Sequence, residues 1–165
     1  MGSEKQLPPN LQKIAAFSDR DQGGNPAGVL IADRHPSPEE MQRIAYEVGF
    51  SETAFASPLE ANGDRAFRVR YFSPESEVPF CGHATIALGA ALALKYGDGV
   101  FQLSLNEAEI TVEGRRDGDQ ISAMLQSPPT FSAQTTHQLV SETLELFGYT
   151  PVSYTHLTLP TICSV

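Results

Sequence analysis

Residues 84–96 limit the possible folds more than any other segment, because this stretch carries a single charge, at Lys95. A helix that has no polar stripe is normally buried on all sides. The segment therefore predicts a central helix that the rest of the chain must enclose. Cys81, Gly82 and His83 precede it, so we expect the helix to begin there.

Short β-strands flank this helix on both sides in the sequence. Hydrophobic periodicity predicts strands at residues 11–17, 27–32, 53–56 and 66–72, and a meander of three strands between residues 101 and 125. Two further helices are predicted, one capped by Ser37 with proline at position 38, and one over residues 137–147. Strands outnumber helices without regular βαβ alternation, so the predicted fold class is α+β, with a sheet wrapped around the central helix.

The composition excludes several classes of protein. Apolar residues make up 41% of the 165 residues and charged residues 19%, which is typical of a globular domain. A net charge of −9 argues against nucleic acid or an anionic membrane as partner. No stretch approaches the roughly 20 apolar residues of a membrane span, and the N-terminus has no apolar signal core. With only Cys81 and Cys163 there is no disulfide framework, so a cytoplasmic location is expected.

The sequence predicts three segments. They are a disordered N-terminus over residues 1–10, one folded domain over residues 11–150 and a non-native tail over residues 151–165. The tail contains no charged residue, and residues 151–161 match the translation of a transposase-type sequencing adapter without a mismatch. We therefore expect that the gene was cut near Thr150, which leaves Cys81 as the only native cysteine.

Cys81, Gly82 and His83 bring a thiol, a flexible glycine and an imidazole to the predicted start of the central helix. The first N–H groups of a helix lack internal partners and carry a partial positive charge, so they attract carboxylates and lower the pKa of a cysteine. Cys81 is either a nucleophile or proton carrier, or a small apolar filler. His83 either binds substrate or braces the helix start.

Glu52 is the second candidate for chemistry. It lies between Phe50 and Phe55, just after a predicted helix and at the head of a strand. A carboxyl beside aromatic surface is partly desolvated, which suits it to proton transfer near neutral pH. A strand-edge glutamate that is hydrogen-bonded to the backbone is the structural alternative. Glu75 and Glu77 are predicted to lie on a solvated loop.

Motifs for metal, nucleotide or serine-hydrolase chemistry are absent from the sequence. The histidines and cysteines do not have zinc-site spacing, and neither a GxSxG elbow nor a phosphate loop occurs. The glycine-rich residues 23–28 precede a strand and lack the dinucleotide spacing. These residues are instead predicted to form a tight turn.

Four segments in register resemble a known family. They read GNPAGV at residues 24–29, GFSETAF at 49–55, RYFSPE at 70–75 and VPFCGHAT at 78–85. Together they resemble the phenazine-biosynthesis-type (PhzF-like) isomerases, over residues 14–126. The resemblance implies one half of a two-domain diaminopimelate-epimerase-like fold. Each half of that fold is a curved, mostly antiparallel, barrel-like sheet around a central helix, and the active site lies between the halves.

The resemblance also implies a function: cofactor-independent proton transfer on a small carboxylate-bearing metabolite. Glu52 matches the catalytic acid/base of the family. The positions expected to contact substrate are His83, Gly82, Asn25, Pro26, Ser51, Cys81 and Ala84. No metal or organic cofactor is implied, and a homodimer is one option for the intact protein. Because the chain stops where the crossover to a second domain should begin, we expect it to be inactive alone.

Two alternatives remain open at this point. Cys81-Gly82-His83 followed by Thr85 also resembles the motif of cysteine-dependent racemases and epimerases of the same fold, in which Cys81 would be the base. The Ser51-Glu52 pair favours the glutamate-dependent reaction. A non-catalytic domain for binding or dimerisation is the other alternative, and the presence of Glu52 and His83 argues against it.

Overall fold

The computed structural model describes residues 6–19, 22–59 and 65–149. The chain divides between Pro128 and Pro129 into two compact units, and the predicted domain of residues 11–150 contains this division. The predicted adapter-derived tail, residues 151–165, lies outside the described residues. So do residues 1–5 of the N-terminus that was predicted to be disordered.

The first unit combines short strands with two helices, and a third helix follows in the second unit. The strands are β1 (Leu11–Ala16), β2 (Asn25–Ile31), β3 (Thr53–Pro58), β4 (Ala66–Phe72), β5 (Glu77–Val78), β6 (Gly99–Ser104), β7 (Glu109–Asp117) and β8 (Gln120–Gln126). The helices are α1 (Pro38–Val48), α2 (Gly82–Tyr96) and α3 (His137–Leu146). Every predicted strand and helix is present with small shifts at its ends, and β5 is additional.

Within the described residues, the strands form one mixed, eight-stranded sheet in the order β1-β2-β3-β4-β6-β7-β8, with β5 paired to β4. Neighbouring strands are antiparallel except for β2–β3 and β4–β6, which are parallel. Parallel neighbours need a crossover connection, and α1 and α2 lie in these two connections. The predicted α+β class with a mostly antiparallel sheet is confirmed, whereas the two helical crossovers were not predicted.

Helix α2 is the enclosed helix that its lack of charge predicts. It contacts β1, β2, β3, β6, β7 and β8, and residues 84–93 are all buried. It packs tightly against the sheet at Gly89, where a Cβ atom added to Gly114 of β7 would lie 2.5 Å from the Gly89 carbonyl oxygen. Glycine at both positions therefore lets the helix pack directly against the strand backbone. Among the described helices, none combines the length and apolar character that a membrane span requires.

Helix α1 packs against the other face of the sheet and begins as predicted. Ser37 Oγ accepts a hydrogen bond from the Glu40 N–H at 3.2 Å, and Pro38 takes the first helical position. Gly49 ends the helix with a φ of 71°, in the left-handed region that favours glycine. The buried residues of this helix are the four predicted ones, Met41, Ile44, Ala45 and Val48.

The alternation of side chains along β3 directs Glu52 toward α2. Ala54 and Ala56 pack in the core around α2, whereas Phe55 between them packs in the cluster with α1. Successive side chains of a strand point to opposite faces. Glu52 precedes Ala54 by two positions and therefore points to the α2 side.

The strands of the sheet do not close around α2. β1 and β8 are the two ends of the strand order, and a cavity of about 610 Å³ lies between them. Its lining includes Ile14 of β1, Ile86 and Ala90 of α2 and Ala123 of β8. The first unit is therefore a half-barrel that is open along one side of its central helix.

The second unit contains α3, which begins after Thr136. Thr136 Oγ1 accepts a hydrogen bond from the Leu139 N–H at 3.2 Å. After the helix, the rings of Phe147 and Tyr149 stack with centroids 6.4 Å apart. The helix predicted over residues 137–147 ends one residue earlier, at Leu146.

Candidate active site

The start of α2 is held in place by a threonine and a buried tyrosine. Cys81 is the N-cap residue, and it makes no side-chain cap hydrogen bond. The Thr85 N–H and hydroxyl both donate to the Cys81 carbonyl oxygen, at 3.0 and 2.7 Å. Tyr71 of β4 lies 2.6 Å from Thr85 Oγ1, and burial raises the pKa of Tyr71, so its hydroxyl keeps the proton that it donates. The helix start is therefore fixed against β4.

His83 connects the two groups of candidate residues. Its Nδ1 lies 3.2 Å from Cys81 Sγ, and its Nε2 lies 3.3 Å from Ser51 Oγ and 3.6 Å from Glu52 Oε2. The His83 side chain is 11% exposed and that of Glu52 is 22% exposed. Ser51, Glu52, Cys81 and His83 thus form one cluster that is partly exposed to solvent.

The helix start does not activate the thiol of Cys81, which corrects the expectation from the sequence. Burial has the largest effect and raises the pKa of Cys81 to about 12. The backbone N–H groups of Ala84 and His83 act in the opposite direction, but the negative charge of Glu52 adds to the increase. The thiol is therefore protonated at neutral pH.

Gly82 and Ala84 supply the backbone of the first turn of α2. Gly82 is partly exposed, so it is accessible to a ligand. Ala84 is completely buried, and its backbone N–H interacts with the thiol of Cys81. The predicted contact of these two residues with substrate stays a prediction.

Asn25 and Pro26 lie at the start of β2, the strand beside β3. Both are exposed, and the parallel register pairs Gly28 with Thr53. Extending this register places Pro26 level with Ser51. The two residues therefore lie at the same end of the sheet as the pocket, and their predicted contact with substrate stays a prediction.

An ion pair that the sequence analysis missed holds the segment that leads into α2. Arg70 donates two hydrogen bonds to the Glu77 carboxylate, at 2.7 and 2.6 Å, and thereby lowers the pKa of Glu77. Asn106 donates a third, at 2.7 Å. The prediction that Glu77 lies on a solvated loop is wrong, because Glu77 pairs with Phe72 across the β4–β5 ladder. Opposite charges at Arg70 and Glu77, on either side of a Ser-Pro turn, were the available sequence signal.

Glu52, Cys81 and His83 are also potential metal ligands. Each offers one atom, and these atoms lie within 4.8 Å of one another. Zinc-site spacing in the sequence did not reveal this group, because Glu52 is the residue before β3, far along the chain from the start of α2. The cavity beside α2 lies elsewhere, since none of the three residues lines it.

Comparison with known proteins decides the family. A family model described as phenazine biosynthesis-like protein (PhzC-PhzF) matches residues 14–156 of this chain. The chain belongs to this family. The match confirms the resemblance carried by the four sequence segments, and it extends into the segment that was predicted to be adapter-derived.

Curated relatives of this PhzF-family chain are longer than the region that they share with it. The uncharacterized isomerase YddE of Escherichia coli O157:H7 is 40% identical over 129 residues, which are 76% of this chain and 42% of YddE. Mouse phenazine biosynthesis-like domain-containing protein 2 is 36% identical over 120 residues, or 70% of this chain and 42% of the mouse protein. The chain thus spans about 42% of the length of these relatives.

This chain also matches only about half or less of the length of similar solved structures. The structure of a predicted epimerase from Pseudomonas aeruginosa matches with a TM-score of 0.74 and 26% identity, over 84% of this chain and 50% of that one. A PhzF-family protein from Enterococcus faecalis matches with a TM-score of 0.56 and 27% identity, over 67% and 41%. The predicted half of a diaminopimelate-epimerase-like fold is therefore confirmed, and the chain is a domain of the PhzF family.

Proposed function

We propose that this domain catalyses cofactor-independent proton transfer on a small carboxylate-bearing metabolite, with Glu52 as the general acid/base. The observation that carries the proposal is the approach of Glu52 Oε2 to within 3.6 Å of His83 Nε2 at the start of α2. A partly exposed carboxylate beside a helix N-terminus combines a base with a group of backbone donors. These are the two requirements for removing a proton from carbon next to a carboxylate.

The reaction is a proton transfer in two steps. The Glu52 carboxylate removes a proton from a carbon of the substrate, which leaves the electron pair of the C–H bond on the substrate as a carbanion or enolate. The partial positive charge of the α2 start stabilises that negative charge. Glu52, now a carboxylic acid, returns the proton to another carbon, so the substrate is isomerised and the residue is regenerated.

Ser51 and His83 support this step by positioning. The Ser51 hydroxyl lies 3.3 Å from His83 Nε2, so the serine and the glutamate approach the same imidazole nitrogen. This arrangement restrains the imidazole between Glu52 and the helix. We propose that His83 contacts the substrate from this position, as the resemblance implies.

Cys81 is disfavoured as the base of the alternative racemase reaction. A thiol base must be deprotonated before it accepts a proton, and the pKa of Cys81 is raised to about 12. The Glu52 carboxylate beside it is one of the groups that raise this pKa. The glutamate-dependent reaction therefore agrees better with the electrostatics of the pocket.

A second domain is part of the proposal, because the curated relatives contain more than twice the aligned length. We propose that this second domain supplies the opposite wall of the pocket and sets the substrate specificity. This chain alone is then expected to be inactive.

The test is uptake of deuterium from solvent by a panel of small carboxylates, measured by NMR with a full-length protein that carries this domain. We expect Glu52→Gln to reduce uptake by a factor of about 10²–10⁴, the usual contribution of a general acid or base. Glu75→Gln makes the same change of charge at an exposed position, and we expect it to retain full activity. Loss of uptake with Cys81→Ala but not with Glu52→Gln would refute the assignment.

A further inference from the structure

We propose that Glu52, Cys81 and His83 form a binding site for Zn²⁺ or a chemically similar divalent cation. Within residues 6–19, 22–59 and 65–149, these three side chains place a carboxylate oxygen, a sulfur and an imidazole nitrogen within 4.8 Å of one another. Cysteine, histidine and glutamate are the residue types that bind zinc in proteins. The group differs from an ordinary acidic cluster because its three neighbouring ligand atoms are of three different types.

The arrangement around the sulfur indicates where the cation would lie. Cys81 Sγ is 3.2 Å from His83 Nδ1, and the Glu52 carboxylate hydrogen-bonds to the same thiol. Zinc–sulfur and zinc–nitrogen bonds of about 2.3 and 2.0 Å in a tetrahedron hold sulfur and nitrogen about 3.5 Å apart. The sulfur and the nitrogen therefore need to separate by only about 0.3 Å, and the Glu52 carboxylate, whose oxygen lies within 4.8 Å of both, closes on the cation by side-chain rotation.

The imidazole has a second partner that holds it in the orientation for binding. With Nδ1 facing the sulfur, Nε2 faces Ser51 Oγ at 3.3 Å and Glu52 Oε2 at 3.6 Å, so the carboxylate must turn from Nε2 toward the sulfur when the cation binds. A histidine that binds a metal through one ring nitrogen usually hydrogen-bonds through the other, which fixes the ring. Three protein ligands leave the fourth tetrahedral position to water or to a carboxylate from solution.

The charges at the site favour a dication once the thiol loses its proton. Binding replaces the S–H bond of Cys81 by a sulfur–zinc bond and releases the proton to solvent. The backbone N–H groups of His83 and Ala84 already interact favourably with the thiolate form. Thiolate and carboxylate together neutralise the two positive charges of the cation, although the positive end of the helix dipole weakens the site.

Occupation of this site would block the Glu52 carboxylate, so we expect Zn²⁺ to inhibit proton transfer. The inhibition rests on the proposed function, whereas binding of the cation does not. A spectroscopic measurement of binding therefore separates the two. Failure of the chain to bind the cation would leave the proposed role of Glu52 in proton transfer untouched. A deuterium experiment that excluded Glu52 as the acid/base would leave cation binding by the unaltered chain untouched.

The experiment is a titration of the tag-free 165-residue chain with Co²⁺, which replaces Zn²⁺ and gives a thiolate-to-cobalt charge-transfer absorption. We expect one equivalent to bind, with the absorption lost when Zn²⁺ is added. Cys81→Ser should abolish the absorption, and circular dichroism checks that this variant is folded. His83→Gln and Glu52→Gln should each weaken binding at least about tenfold, and Ser51→Ala about 10–100-fold, as for other outer partners of metal ligands.

Cys163→Ser is the matched control, because it removes the other cysteine of the chain and should leave the absorption unchanged. Absorption that survives in folded Cys81→Ser, or that disappears in Cys163→Ser, would overturn the proposal. So would the lack of any saturable thiolate absorption in the unaltered chain.

Discussion

Helices α1 and α2 begin in opposite ways, although both have the same unpaired backbone donors. The start of α1 is filled by the chain itself. Ser37 caps it, and Glu39 and Glu40 lie in its first turn. A hydrogen bond from the backbone N–H of Glu39 has the largest effect in lowering the pKa of the Glu39 carboxyl, and a hydrogen bond from the Ser37 side chain lowers it further. The start of α2 has neither an acidic residue in its first turn nor a side-chain cap hydrogen bond.

This difference shows how one physical property serves two purposes. At α1 the partial positive charge is matched by the chain's own carboxylates, which stabilises the helix. At α2 the same charge meets the neutral thiol of Cys81, with Glu52 and His83 beside it. We infer that the first helix uses its N-terminus for stability, whereas the second reserves its N-terminus for the negative charge of a ligand.

The largest loss of stability is expected for a substitution where α2 packs on the sheet. The start of α2 can keep its position for a ligand only if the helix is held rigidly there. Gly114→Ala would place a Cβ atom 2.5 Å from the Gly89 carbonyl oxygen and 2.8 Å from Ala93 Cβ. Backbone atoms cannot yield as a flexible side chain does, so we expect a loss of about 3 kcal/mol in the free energy of unfolding. Urea denaturation followed by circular dichroism measures this loss.

Arg116→Ala on the same strand is the control for this experiment. Its side chain is exposed, and we expect its effect to remain within about 0.5 kcal/mol. If Gly114→Ala were as mild as Arg116→Ala, the close packing of α2 on β7 would be contradicted.

A smaller effect distinguishes the two helix starts directly. Ser37→Ala removes the hydrogen bond to the Glu40 N–H and should lower the free energy of unfolding by about 1 kcal/mol. Cys81→Ser should cause no loss, because no side-chain cap hydrogen bond is removed and a serine hydroxyl is itself a good cap. The same urea experiment compares them. Equal losses in both variants would show that the thiol stabilises α2 as Ser37 stabilises α1.

The two helices were also the parts of the fold most readable from the sequence. Serine, proline and glutamate at positions 37, 38 and 40 predict the start of α1 from neighbouring residues alone. The near absence of charge in residues 84–96 predicts that α2 is enclosed, since each polar group inside a core needs a partner. In both cases the signal lies within the element itself.

The features that were missed depend on contacts between distant segments. Strand β5 consists of two residues, which is too short for a periodic pattern, and its Glu77 is placed by Arg70 across the ladder. The thiol of Cys81 was expected to have a lowered pKa, because the helix start is visible in sequence while burial is not. Family resemblance assigned Glu52 and His83 to one site without stating their contact, and spacing alone left the role of Glu52 open between an acid/base and a structural strand-edge residue.

The most direct test of the difference between the two helix starts is an NMR titration of this chain with acetate, at ionic strength held constant with sodium chloride. Amide shifts are followed for Gly82, His83 and Ala84 at the start of α2, and for Glu39 and Glu40 at the start of α1. We predict saturable shifts for the three α2 amides and none for the two α1 amides. Shifts of equal size at both helix starts, or no saturable shift at α2, would contradict the view that α2 keeps its N-terminus for a ligand.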